Sequence, residues 1–344
     1  MSEYLEKAST MKGEWQMKKI AIEEAFAVKG VEEFTPQLHK LREFRHCEAK
    51  LHDLLDMRIR AMDEGELEMM VLSATSPSIQ GIRDPNIEAE TARVWNDYIA
   101  DAIQCHEDRF RAFACLPMRD PDAAIKELER AVKELRLVGA LVNGYDNAGN
   151  SAPIYYDAPE YLDFWKTAEA LDVPVYLHPR TVPDSRETTY KPYQELYGSA
   201  WGFHVETAEH VLRIIISGML DKVPNLKIFL GHLGEFLPFW CWRLDHRIGR
   251  EGWDGEVAAA NGRPRELTVT EYVQRNIYVS TSGYFYTPAL EHTLAVMGKD
   301  HIMYAVDYPY EDPAEANAWF NTLELAPDVL EAIAYGNAKH LLRI

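Results

Sequence analysis

Residues 226–235, LKIFLGHLGE, decide how this chain is read. An almost continuously apolar run of five residues leads directly into a histidine between two glycines and then a glutamate. A run this short, apolar on both of its alternating faces, fits a strand buried on both sides, as in a parallel sheet. The same pattern recurs in both directions. Upstream lie residues 173–178 (VPVYLH), 138–143 (VGALVN), 110–116 (FRAFACL), 67–73 (LEMMVLS) and 18–23 (KKIAIE); downstream lie 277–282 (IYVSTS) and 302–307 (IMYAVD). Helical patterns separate them, with apolar residues on one face across 88–103, 123–133 and 204–220. Eight strands alternating with helices predict an α/β fold of the (β/α)8 TIM-barrel type, closed by right-handed crossovers. An open doubly wound sheet is disfavoured because no GxGxxG follows the first run.

Length and composition agree with this. The chain has 344 residues, 47% hydrophobic and 26% charged, which suits one barrel domain over residues 17–344. Residues 1–16 are polar and acidic, have no apolar leader segment, and read as a flexible extension. A net charge of −19 argues against nucleic acid as a partner, since phosphate binding needs a basic surface. It also means that an acidic substrate has to be held by local cations, either a metal or arginines. No segment has the length and apolarity of a membrane span. Four scattered cysteines without a CxxC pair read as reduced, buried small side chains of a cytoplasmic protein.

The chemistry is suggested by where the strand candidates end. Glu23, His178, His232 and Asp307, and more weakly Asn143, stand at or just beyond a C-terminal end. All such ends meet at one mouth of a parallel barrel. A single carboxylate there reads equally well as a structural ion pair, but four polar groups at four strand ends read as a site. Glu23, His178 and Asp307 offer two carboxylates and an imidazole to a divalent ion, with positions left open for water or substrate. Gly231 and Gly234 permit a tight turn and close approach of a ligand. His232 is a candidate base or donor, and Glu235 a partner that orients it. Arg243 is suited to gripping a carboxylate, or else is a surface arginine; Arg58, on the helix expected before the second strand, has the weaker claim. Ser73, Ser280, Ser282, His204, His210, His246 and the tryptophans lean towards packing roles. The absence of GxSxG disfavours a serine hydrolase.

Together, 23–27 (EEAFA), 176–179 (YLHP), 231–235 (GHLGE) and 306–311 (VDYPYE), with 96–99 (NDYI), 139–143 (GALVN) and 337–339 (NAK), resemble the amidohydrolase-related decarboxylases. That group includes the 2,3-dihydroxybenzoate, γ-resorcylate, salicylate and 5-carboxyvanillate decarboxylases. The resemblance runs from about Met17 to the end. It implies that Glu23, His178 and Asp307 bind one divalent metal, that His232 and Glu235 are catalytic partners, that Arg58 and Arg243 hold the substrate, and that the protein forms a homotetramer or dimer. Ala25 stands where many amidohydrolases carry a second metal-binding histidine. The oxygen-rich remainder favours Mn²⁺ over Zn²⁺, with Mg²⁺ a further candidate. The implied reaction is non-oxidative loss of CO₂ from an ortho-hydroxybenzoate, favoured here as 2,3-dihydroxybenzoate. The hydroxyl and carboxylate are held at the metal, Asp307 protonates the ring carbon with His232 nearby, and no organic cofactor takes part. The competing reading is metal-assisted hydrolysis of an ester, lactone or amide; a histidine pair in the first motif would favour it, and EEA does not.

Overall fold

The structure, a computed structural model, describes residues 17–30, 42–146, 153–248 and 266–344. The expected extension 1–16 lies outside the described residues. All eight expected strands form: β1 Ile20–Phe26, β2 Met69–Ala74, β3 Phe110–Ala112, β4 Ala140–Asn143, β5 Val175–His178, β6 Ile228–Leu230, β7 Ile277–Ser280 and β8 Ile302–Met303. Every pairing is parallel, in the orders β1-β2-β3 and β4-β5-β6-β7-β8. The two ladders join by a parallel bridge at Ala114 and Ala140, where the Leu141 N–H donates to the Ala114 carbonyl over 3.0 Å. At the other seam, Ile22 N–H donates to Tyr304 over 3.3 Å and Ala25 N–H to Tyr308 over 2.6 Å. The sheet is thus closed in sequence order as a barrel.

Strand side chains alternate between two cores, as period-two geometry requires. Ile22, Val71, Phe113, Leu141, Tyr176, Phe229 and Met303 fill the barrel interior. Ala21, Met70, Leu72, Val142, Val175 and Val279 face the surrounding helices. Each large apolar side chain withdrawn from water in this way contributes about 1.5–3 kcal/mol. Three of the outer helices start in one way. Asp84, Asp120 and Asp312 each precede a proline and accept hydrogen bonds from backbone N–H groups of the first turn. Aspartate satisfies otherwise unpaired donors, while proline at the first helical position gives up an N–H that has no partner anyway.

Two features place the site. The register of β1 against β2 shifts between Ala21 and Glu24, a bulge of the kind that re-aims side chains beside active sites. The segment after β6 enters a helix, Leu237–Ile248, within two residues of the Gly-His turn. Among the cysteines, Cys47, Cys115 and Cys241 are buried as expected, but Cys105 is exposed.

Candidate active site

At the C-terminal mouth of the barrel lies a cavity of about 550 Å³ whose lining includes Glu23, His178, His204, His232 and Asp307. The strand-end reasoning is met in space. His178 Nε2 lies 3.6 Å from Glu23 Oε1, His232 Nε2 lies 3.7 Å from the same oxygen, and His232 Nε2 lies 3.8 Å from Asp307 Oδ2. These separations exceed hydrogen-bond length, so a small ion fits among the groups while they do not satisfy one another.

Glu23 is 2% exposed, and its two oxygens differ. Oε2 accepts a 2.7 Å hydrogen bond from the Ser280 hydroxyl. Oε1 is buried without any hydrogen-bond partner. A buried carboxylate oxygen with no donor is costly unless a cation completes it. His178 supplies the matching group. Its Nδ1–H donates to the Pro179 carbonyl over 2.8 Å, which leaves the Nε2 lone pair towards Glu23. Burial holds the His178 pKa below the usual value, so the neutral, ligating form prevails. Burial also raises Asp307, with Glu23 adding to the effect, to about 7. Glu23, His178 and Asp307 therefore suit a divalent ion.

The Gly-His turn holds the second set of groups in a strained backbone. His232, Leu233, Gly234, Glu235 and Phe236 all have φ between +50° and +86°, a left-handed path that costs an L-residue roughly 1–2 kcal/mol. Gly231 is required for a different reason. A Cβ there would lie 2.5 Å from Tyr176 Oη and 2.6 Å from Glu23 Oε1. The turn aims His232 Nδ1 at Glu235 Oε1, 2.7 Å away, and the other Glu235 oxygen accepts from His204 Nδ1. Burial opposes charge on His232, but Glu235 and Glu23 outweigh it and hold its pKa well above the usual value. Burial likewise opposes charge on Glu235, but the two histidines bring it down to about 2. His204, His232 and Glu235 have ligand-type atoms within 4.8 Å of one another. Here, however, both glutamate oxygens are already engaged by imidazole N–H groups, so the three form a hydrogen-bonded relay.

Several expectations need correction. Arg58 was expected to hold the substrate but does not line the cavity. It is fully buried, donates 2.7 Å to the Ala25 carbonyl and stacks 4.7 Å from the Tyr308 ring, so it braces the end of β1 against the loop after β8. Arg243 is exposed on the helix Leu237–Ile248 and is also absent from the lining. Among the described residues no arginine lines this cavity. Asn143 is buried behind the site, where its side-chain N–H reaches the Ala74 carbonyl and its backbone N–H donates to Gln80.

Three residues were read as structural or not singled out. Ser280 orients Glu23. His204 lines the cavity and binds Glu235. Glu24, with no exposed surface, accepts the backbone N–H groups of Val306 and Tyr308, each at 2.9 Å, and so clamps both sides of Asp307. β8 ends at Met303, and the next N–H groups go elsewhere, Tyr304 to the Ile333 carbonyl and Ala305 to the Thr281 hydroxyl.

Comparison with known proteins fits this geometry. A family model described as amidohydrolase matches residues 45–344. A γ-resorcylate decarboxylase of Polaromonas sp. (strain JS666) is 41% identical over 327 residues, spanning 95% of this chain and 98% of the relative. A crystal structure of 2,6-dihydroxybenzoate decarboxylase in complex with 2,6-dihydroxybenzoate superposes with a TM-score of 0.87 at 38% identity, covering 95% of this chain and 100% of the other. A dihydroxybenzoic acid decarboxylase from Polaromonas sp. JS666, with bound manganese and the inhibitor 2-nitroresorcinol, gives a TM-score of 0.87 at 40% identity, covering 95% and 97%. Among the described residues no helix is long and apolar enough to cross a membrane. The chain belongs to the amidohydrolase family, among its decarboxylases.

Proposed function

We propose that this protein is a manganese-dependent decarboxylase of 2,6-dihydroxybenzoate (γ-resorcylate). The observation that carries the reading is the partnerless buried oxygen of Glu23 facing the free nitrogen of His178 across from Asp307, in a cavity large enough for one aromatic acid. The 2,6-isomer replaces the 2,3-isomer expected from the sequence, because relatives at 38–41% identity are named for γ-resorcylate or 2,6-dihydroxybenzoate. Manganese is supported by the oxygen-rich ligand set and by the ion in the Polaromonas structure.

Glu23, His178 and Asp307 would hold the ion. When bound, it supplies Lewis-acid stabilisation of negative charge on the substrate's ortho oxygen and carboxylate. The chain's own residues do the remainder. Ser280 fixes Glu23, and Glu24 fixes the backbone around Asp307. Asp307, at the mouth, delivers the proton to the ring carbon that carries the carboxylate. His232, 3.8 Å from Asp307 and oriented by Glu235, is the route by which that proton is replaced. Loss of CO₂ then returns the electron pair to the ring.

The test is manganese-loaded protein incubated with 2,6-dihydroxybenzoate labelled at the carboxyl carbon. Release of labelled CO₂ with formation of resorcinol is expected; hydrolysis of an ester or lactone panel without CO₂ release from any hydroxybenzoate would overturn the reading. The proposal extends to a homo-oligomer. Phe239, Trp240 and Trp242 are 72%, 52% and 70% exposed on the helix that carries Arg243, an aromatic face of the kind found at subunit interfaces. A strict monomer by light scattering at micromolar concentration would refute that part.

A further inference from the structure

Within the cavity, His204 enters the chemistry described above only through its bond to Glu235, yet it is placed to touch the substrate. It stands in the first turn of the helix Gly202–Ile216 and is 8% exposed, and its ring belongs to the lining. Three contacts fix that ring. Its Nδ1 is bound to Glu235, it meets Phe236 at 4.8 Å, and it lies edge-to-face with His232 at 5.3 Å. The Nδ1–H is therefore spent on a carboxylate that stays ionised, and among the described residues no hydrogen bond or ion pair is made by Nε2. A neutral imidazole that donates at Nδ1 presents a hydrogen-bond acceptor at Nε2, whereas an imidazolium would donate from both nitrogens, so the acceptor role belongs to the neutral ring. His204 lies one ring beyond His232, which itself lies 3.7 Å from Glu23. A benzoate anchored at Glu23, His178 and Asp307 would thus bring the far part of its ring beside His204.

We infer that His204 is a specificity-determining residue whose Nε2 accepts a hydrogen bond from a second hydroxyl on the substrate ring, so that the site selects dihydroxybenzoates over monohydroxybenzoates. This rests on the decarboxylase reading for the name of the substrate, but the geometry requires only a hydroxylated aromatic ring. A site built to pair with a hydroxyl discriminates strongly against an analogue that lacks it, because the analogue leaves a desolvated acceptor without a donor.

The test uses the manganese-loaded full chain, unaltered and as His204→Ala and His204→Phe. Turnover is measured on 2,3-, 2,4-, 2,5- and 2,6-dihydroxybenzoate and on 2-hydroxybenzoate. Binding of the non-reacting pair 2-nitroresorcinol and 2-nitrophenol is measured by calorimetry. The quantity read is the ratio of kcat/KM between the best dihydroxybenzoate and 2-hydroxybenzoate, together with the ratio of the two dissociation constants. Any damage transmitted through Glu235 and His232 lowers both members of each pair and cancels, so a merely structural role leaves the ratios unmoved. The expected result is a loss of about tenfold or more in both ratios in both variants. Unchanged ratios, whether activity falls uniformly or not at all, would overturn the inference. Failure of every hydroxybenzoate to release CO₂ would defeat the decarboxylase reading alone, because the calorimetric ratio still decides the role of His204; failure of both 2-nitroresorcinol and 2-nitrophenol to bind would overturn both.

Discussion

Two cavities of nearly equal volume lie at different places on the barrel. The mouth cavity measures about 550 Å³. The other, about 530 Å³, lies among the helices Pro85–Ile103 and Pro121–Lys133 and the C-terminal residues. The second is also lined by charged groups, but its arginines have found a carboxylate or the backbone. Arg136 pairs with Glu107 at 3.1 Å, Arg111 donates to the Phe110 carbonyl over 2.8 Å, and Arg343 donates to the Leu171 carbonyl over 2.7 Å. In the mouth cavity, Glu23 keeps a buried oxygen without a donor, and Asp307 and His232 stand on backbone that L-residues adopt at a cost. Volume does not separate the two; unpaired buried polarity and stored strain do.

The sharpest break between the cavities is expected at Asp307. An amide cannot deliver a proton and is a poorer ligand than a carboxylate. Asp307→Asn should lower kcat by about 10²–10⁴-fold, while Arg136→Ala in the second cavity should leave kcat/KM unchanged. Removing metal with a chelator should abolish turnover in the same assay, and added Mn²⁺ should restore it. Near-normal kcat in Asp307→Asn with metal retained would move the proton delivery to His232.

A methyl group tests the next level. Gly231→Ala places a Cβ within 2.5–2.7 Å of Tyr176 Oη and both oxygens of Glu23. Either the carboxylate or the turn must yield, and overpacking of this kind costs about 1–3 kcal/mol. Displacing one ligand should weaken Mn²⁺ binding roughly 10–100-fold, as read by metal titration of the purified variant. Unchanged metal affinity would mean that the turn yields and Glu23 keeps its place.

Glu24→Gln is expected to act more gently. The carboxylate accepts two N–H groups, whereas an amide can accept with its oxygen only and turns an NH₂ towards the other N–H. The loop that carries Asp307 should loosen at a cost of about 1–3 kcal/mol. This should appear as a lower Tm and a modest fall in kcat, with metal content retained. A fall in metal content equal to that of Gly231→Ala would make Glu24 part of the metal site itself.

How far the sequence reaches follows from these residues. Glu23, His178, His232 and Asp307 were legible because each adjoins an apolar run, and parallel strand ends meet at one mouth whatever the details of packing. Ser280 and Glu24 were not, because their roles depend on what lies across the barrel. Ser280 answers to β1, some 250 residues away in sequence, and Glu24 to the loop after β8. His204 looked like a packing residue because its helix is amphipathic. The available signal was its place in the first turn of a helix that follows a long βα connection, where the helix starts at the mouth. The two arginines stand away from the lining of the mouth cavity for the opposite reason. Charge and proximity in sequence to a motif say nothing about direction, and Arg58 is turned into the protein while Arg243 is turned out of it.

The smallest effect is expected away from the mouth and separates unpaired polarity that serves chemistry from polarity that only costs stability. Glu88, fully buried in the helix Pro85–Ile103, shares one guanidinium with Asp146. Arg119 lies 2.6 Å from Asp146 and 3.6 Å from Glu88. One positive charge cannot satisfy two buried carboxylates. Burial, with Asp146 adding to it, raises Glu88 from an ordinary 4.5 to about 9. The fold therefore holds a proton that the unfolded chain releases. Stability is full below about pH 4.5, declines as pH rises through the interval, and levels only once Glu88 ionises within the fold near 9. Glu88→Gln removes that titration while leaving Arg119 to Asp146. The variant should gain Tm relative to the parent as pH rises from 5 to 9, by about 1–2 °C for each kcal/mol of relief in a chain of this length. The raised carboxyls of Glu24 and Asp307 titrate alike in both proteins and drop out of the difference. The measurement is thermal unfolding of both proteins across that pH range. A difference in Tm that is flat with pH would mean that Glu88 is already ionised in the fold and that Arg119 satisfies both carboxylates.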